Sequence, residues 1–228
     1  MEKIRILVIN PNSTATATAG ILEDARRFAG EDFEVDVLGN PDGPTFIDTD
    51  ADRKAAAPGM ERILRENEGN YDGFVVACHC DPNVPLLRGM TKKPVVGIGQ
   101  ASLHMAALEG EPFSVVTTGE DSAAEKREQV GRTLLQGSCV SVRGGVLIEG
   151  GSAVENAMEQ RILRGARLAV EQDGARRIVP AITGFPGLSR AVEDALGVPV
   201  LDSLACAMFL ARDLAMYQRL QAPAAKKS

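Results

Sequence analysis

Tyr71-Asp72-Gly73-Phe74-Val75-Val76-Ala77-Cys78-His79-Cys80-Asp81-Pro82-Asn83-Val84-Pro85-Leu86-Leu87 packs a strand, a turn and a helix start into one short segment. Phe74 to Ala77 is an apolar run rich in β-branched residues, introduced by the turn pair Asp72-Gly73. That pattern predicts a buried strand. Asp81-Pro82 predicts a helix start, with Asp as the N-cap and Pro in the first turn. Cys78, His79 and Cys80 therefore fall between the C-terminal end of a strand and the N-terminus of a helix. In open α/β sheets that crevice is where ligands bind.

A helix N-terminus favours negative charge, including a thiolate. Free cysteine is otherwise often just a small buried hydrophobe. Its place at a strand end gives Cys78 a second reading, as a nucleophile or proton-transfer group. Cys-His-Cys also invites a metal reading. No second Cys/His pair stands at zinc-ligand spacing, and the only other histidine is His104, so no metal is expected.

The surrounding chain of 228 residues is long enough for one large α/β domain or two small ones. Trp is absent and aromatics make up 4%, so the core must come from Val, Ile, Leu, Ala and Met. The formal net charge of −6 argues against nucleic acid, whose phosphates need a basic face. No apolar run approaches the roughly 18 residues of a membrane span. The chain enters a strand without a signal-peptide pattern, and its four cysteines are unevenly spaced, so a reducing cytoplasm is the expected location.

Strands and helices alternate along the chain. Ile4 to Ile9 reads as a strand, and Asn10-Pro11-Asn12-Ser13-Thr14 leads into a helix running to about Phe28. Ser13 or Thr14 would cap that helix, or, with Asn10, offer donors to an anion. Phe33 to Leu38 reads as a strand near an edge. Asp50 to Glu68 is helical with an interruption at Pro58-Gly59. Val95 to Ile98 is a strand, and Gln100 to Leu108 a helix in which His104 is expected to pack in the core. Phe113 to Thr117 is a strand ending at Thr117-Thr118. Ser122-Ala-Ala-Glu125 and Ser152-Ala-Val-Glu155 read as capping boxes opening helices to about Gln136 and Asp173. Val140 to Ile148, Arg177 to Ile182 and Val198 to Leu201 complete the strands. Ser203 to Gln218 is the last helix, with a frayed tail after Gln221.

This alternation predicts parallel βαβ units. The chain also repeats itself. Asp72-Gly73, strand, Cys78, short helix and Pro94-Val95 parallel Asp173-Gly174, strand, Thr183-Gly184, short helix and Pro199-Val200. Two pseudo-symmetric Rossmann-like halves are expected, residues 1–98 with 200–228 and residues 99–199. Their facing cleft would hold Asn10, Cys78, Thr117-Thr118 and Thr183-Gly184.

These segments resemble the aspartate/glutamate/hydantoin racemase superfamily, in its hydantoin and allantoin branch. Ile9-Asn10-Pro11-Asn12-Ser13-Thr14 is similar to that branch's opening motif, and Val76-Ala77-Cys78 with Asp81-Pro82 to its first-cysteine motif. Val95-Val96-Gly97-Ile98, Ser114-Val115-Val116-Thr117-Thr118 and Gly197-Val198-Pro199-Val200 also match. The resemblance implies two Rossmann-like halves, chemistry without a cofactor, a small carboxylate or imide substrate and frequent homo-oligomers. It implies that two cysteines face each other across an acidic α-carbon, one removing the proton and one returning it on the other face. Cys78 matches the first. At the second, Gly184-Phe185-Pro186-Gly187 stands in place of a cysteine motif, so Phe185 replaces the thiol. The expected site comprises Cys78 with Asn10, Ser13, Thr14, His79, Cys80, Thr117, Thr118, Thr183, Gly184 and Phe185. An isomerase is expected first. A one-thiol decarboxylase, lyase or hydrolase, or a non-catalytic anion binder, stands as the alternative.

Overall fold

The computed structural model describes residues 2–221, and the tail expected to fray after Gln221 lies outside them. The first strand, β1 (Arg5–Asn10), buries Ile6, Leu7, Val8 and Ile9 completely, because helices cover both of its faces. Helix α1 (Ala15–Ala29) lays Ile21, Ala25 and Ala29 on one face and stops at Gly30, whose φ of 52° suits glycine. Strand β2 (Glu34–Gly39) follows, then α2 (Asp50–Asn67), β3 (Gly73–Val76), the short α3 (Val84–Arg88) and β4 (Val95–Gly97). These strands form a parallel sheet in the order β2-β1-β3-β4.

Helix α4 (Ile98–Ala107) leads to the second sheet. There β5 (Phe113–Thr117), α5 (Glu120–Arg132), β6 (Cys139–Gly144), α6 (Met158–Asp173) and β7 (Arg177–Pro180) build the parallel order β6-β5-β7. After α7 (Leu188–Leu196), Val200 adds a parallel bridge to Ile178. The second sheet thus repeats the first, with its fourth strand cut to a single bridge beside Pro199, which has no N–H for a longer ladder. The two sheets are therefore an α/β pair of parallel layers, as the alternation predicted.

Helix α4 joins the layers. Ile98 and Ala101 belong to the core on β1 and β3, while Leu103 and Ala106 belong to the core on β5. The last helix, α8 (Ser203–Gln221), packs Leu204, Ala207, Met208 and Ala211 into the first-sheet core.

Several local expectations need correction. Helix α2 runs unbroken through Pro58, because Lys54 and Pro58 share its exposed side. Pro58 thus lies on the exposed side, while Ala56, Met60, Ile63 and Leu64 hold the other face. Asp81 does not cap α3, which begins after Asn83. Helix α5 starts at Glu120, with Gly119 at its N-cap, so Ser122 lies inside its first turn and bonds Thr118 Oγ1 at 3.1 Å. The Ser152/Glu155 pair forms its reciprocal bonds, but they close a turn ahead of α6, which begins at Met158. Strand β6 ends at Gly144, short of the expected Ile148. His104 is exposed, its Nδ1 2.7 Å from the Gln100 carbonyl.

Candidate active site

Strand β3 ends at Val76, and Ala77 extends its ladder by donating to the Ile9 carbonyl at 2.9 Å. The chain then turns tightly, with the Asp81 N–H on the Cys78 carbonyl at 2.9 Å. Asp81 and Asn83 adopt φ of 51° and 59°, a left-handed conformation that Asp and Asn tolerate best after glycine. The turn brings the Cys78 and Cys80 sulfurs to 3.4 Å, with both side chains half-buried.

Two thiols this close share one proton between them. The Cys80 thiol is pulled down to about 7, first by the Cys78 S–H bond to it, then by Lys126 and Arg53, and against its burial. The Cys78 thiol is pushed well up by the same bond, by burial and by the neighbouring negative charge. The pair thus loses one proton near neutrality and holds the second.

The wall around the pair comes from both halves. From α2, Arg53 carries salt bridges to Asp50 at 3.0 Å and Glu125 at 2.9 Å. Burial opposes the Arg53 charge, yet the Cys80 sulfur and the two carboxylates hold it firmly protonated. From α5, Gln129 donates to the His79 carbonyl at 2.8 Å and to Asp81 Oδ2 at 3.3 Å. Lys126, also on α5, is buried and donates to Gln129 Oε1 at 3.0 Å.

His79 is buried with its Nε2 3.3 Å from Ser102 Oγ and its Nδ1 without a partner. Burial, then Lys126, pushes it well below the usual histidine range, so the ring is neutral. Asp81 caps a helix after all, but a distant one. Its two oxygens accept the Gly99 and Gln100 N–H groups of α4 at 2.8 and 2.6 Å. Burial lifts its carboxyl to about 6 in spite of those donors. Among the described residues no group of three His, Cys, Asp or Glu side chains is arranged to hold a metal ion.

The remaining expected residues sit on other strand ends. Asn10 is fully buried and spends its amide on Asn12 Oδ1 and Thr18 Oγ1, at 3.0 and 2.9 Å, which fixes the entry to α1. Thr14 bonds the Thr45 carbonyl at 2.8 Å, and Ser13 is exposed. Thr117 is buried, and the Thr118 carbonyl accepts Arg161. Gly184 lies against α1 so closely that a Cβ on Gly20 would meet its carbonyl at 2.7 Å. Phe185 packs on the cluster of Val116, Ile162 and Leu188, which includes no residue of the 78–80 turn. It also lines a small hollow with Thr183, Asp24 and Asp202. A wider hollow of about 510 Å³ lies at the other end of β7, lined by Glu111, Arg176, Arg177 and Val198.

Sequence reasoning missed Arg53, Lys126 and Gln129. The signal was present in α5, whose buried face reads Ala123, Lys126, Gln129, Val130 at helical spacing. A lysine and a glutamine on a core stripe mark a polar partner opposite.

Residues 6–211 match the model of the Asp/Glu/Hydantoin racemase family. A hydantoin racemase of Paenarthrobacter aurescens is 31% identical over 92% of this chain and 91% of its own length. A hydantoin racemase of Rhizobium meliloti is 32% identical over 92% of this chain and 88% of its own. The structure of an allantoin racemase from Klebsiella pneumoniae superimposes with a TM-score of 0.85 at 28% identity, covering 94% of this chain and 89% of that one.

Proposed function

The chain belongs to the Asp/Glu/hydantoin racemase family, and from that membership and the cysteine turn we propose a racemase-like isomerase that needs no cofactor. Its substrate is a hydantoin-like or amino-acid-derived carboxylate or imide with an acidic α-carbon. The reading rests on one observation, the Cys78 and Cys80 sulfurs 3.4 Å apart on the turn at the end of β3, a separation at which ionising one thiol opposes ionising the other. A thiolate at neutral pH accepts an α-proton and returns it. Cys78 at the strand end is proposed as the group that meets carbon: it passes its own proton to the Cys80 thiolate as it takes the α-proton, and both transfers reverse on reprotonation. The N-terminal N–H groups of α1, Ser13 and Thr118 are proposed as donors to the substrate anion, with Asn10 and Thr14 shaping that turn and Thr117, Thr183 and Gly184 framing it.

Inversion needs a proton on the opposite face. Phe185, which takes the second thiol's place in the family resemblance, has none to give. We propose that water supplies it, so exchange of the α-proton with solvent outpaces inversion. Incubating 5-substituted hydantoins, allantoin, aspartate, glutamate and arylmalonates in deuterated water tests this. The expected result is α-deuteration of a hydantoin-type substrate faster than its optical rotation falls. Exchange with full retention, or release of carbon dioxide, would move the assignment to single-face chemistry. No exchange on any of the panel would end the enzyme reading.

A further inference from the structure

We infer that Lys126 is a positioning residue for the thiol chemistry, the buried counter-charge that the second half of the molecule presents to the Cys78–Cys80 pair. This deepens the proposed function and rests on it. Lys126 is only 5% exposed, yet among the described residues no carboxylate lies within 4.0 Å of its ammonium. Its ammonium donates to the neutral amide of Gln129. A buried ammonium with no counter-ion is costly, so a sequence keeps one where a negative charge forms or binds.

The geometry narrows where that charge sits. Gln129 anchors α5 to the cysteine turn through the His79 carbonyl, so Lys126 stands over the same turn. Its charge is felt at Cys78, His79, Cys80 and Asp81 alike. The other charged groups facing the pair are already partnered. On α2, Arg53 reaches the Cys80 sulfur, but its charge is matched by Asp50 at 3.0 Å and Glu125 at 2.9 Å. On the turn itself, His79 is neutral, and both Asp81 oxygens serve the N-terminus of α4. From α3, Arg88 acts on Asp81 and bonds the Val95 carbonyl at 2.9 Å. The shared proton of the two sulfurs leaves one negative charge, and Lys126 is placed to balance it.

The test follows carbamidomethylation of Cys78 and Cys80 by iodoacetamide, mapped by mass spectrometry across roughly pH 5 to 9. Lys126→Gln keeps an N–H donor, one atom shorter, toward the Gln129 amide but removes the charge. It should be alkylated about tenfold more slowly at neutral pH, with the midpoint raised about one unit. Lys126→Arg should keep the wild-type midpoint. A Lys126→Gln protein with a native circular-dichroism spectrum and an unchanged alkylation profile overturns the proposal. So does a Lys126→Arg profile that shifts as far as that of Lys126→Gln. Because alkylation needs no substrate, a negative substrate panel leaves this result standing, and the two failures are told apart.

Discussion

Two sulfurs 3.4 Å apart cannot both ionise near neutrality, and which one holds the proton decides what the site can do. The remaining cysteines make an internal control. Burial pushes Cys139 up to about 11, and burial with the nearby Asp202 pushes Cys206 up to about 12. Alkylation at neutral pH should therefore fall on the 78–80 turn and spare residues 139 and 206. Equal labelling of all four would remove the argument from environment. Cys78→Ser should lower turnover by about 10²–10⁴-fold with the fold intact. Cys80→Ser removes the sulfur that accepts the Cys78 proton, so its turnover should be low at neutral pH and recover as the pH rises. A flat pH profile in that variant would exclude Cys80 from the proton transfer. The strand end at Cys78 was legible because a four-residue apolar run has few other readings. The destination of Asp81 was not. Its carboxylate caps a helix whose second and third residues come 18 and 19 positions later, and no local pattern encodes that bond.

At the scale of the element, the helix boundaries show where local chemistry stops deciding. The Thr49/Asp52 capping box of α2 forms, whereas the Ser122 and Ser152 patterns serve other bonds, because Gly119 and Ala157 are the residues that enter the helices. A hydroxyl followed by a carboxylate three residues on is a cap only if the chain turns there. The Asp81 bridge between turn and helix also carries a pH signature. Its carboxyl is lifted by burial from 3.8 to about 6, so the folded state binds that proton more tightly than the unfolded chain does. Its contribution should be most favourable below about pH 4 and decline as the pH rises through about 6. Urea midpoints across this window should show the decline in the wild type and lack it in Asp81→Asn. The same dependence in both proteins would assign it elsewhere. Helix α1 offers a contrast of propensity against packing. Gly20→Ala would gain about 0.5–1 kcal/mol as an exposed helix residue. Here the added Cβ meets the Gly184 carbonyl at 2.7 Å, and the atoms it strikes are backbone, with no flexible side chain able to yield. Overpacking of this kind costs about 1–3 kcal/mol, so the net effect in urea should be destabilising.

Across the whole molecule, the two halves touch in related ways. Helix α5, which follows β5, holds the turn after β3 through Gln129, and α1, which follows β1, holds the loop after β7 through Gly20 and Asp24. Asp24 and Gln129 occupy the same position along their helices, counted from Ala15 and Glu120. The internal repeat in the sequence announced this pairing of halves. It could not announce which residues meet across it, since those contacts link segments tens of residues apart. By the same correspondence the loop from Thr183 to Gly187 is the counterpart of the cysteine turn, and Phe185 stands on it without a proton to give. Phe185→Cys therefore tests the proposed division between exchange and inversion. The substitution removes a ring that packs on Val116, Ile162 and Leu188, and a loss of up to about 3–5 kcal/mol sets the temperature at which it must be assayed. In the folded variant a second thiol would supply the opposite-face proton in place of water. Loss of optical rotation should then rise toward the rate of α-deuteration, while deuteration itself changes little. If the ratio of the two rates stays at its wild-type value in a folded Phe185→Cys protein, the loop is not the opposite wall of the site.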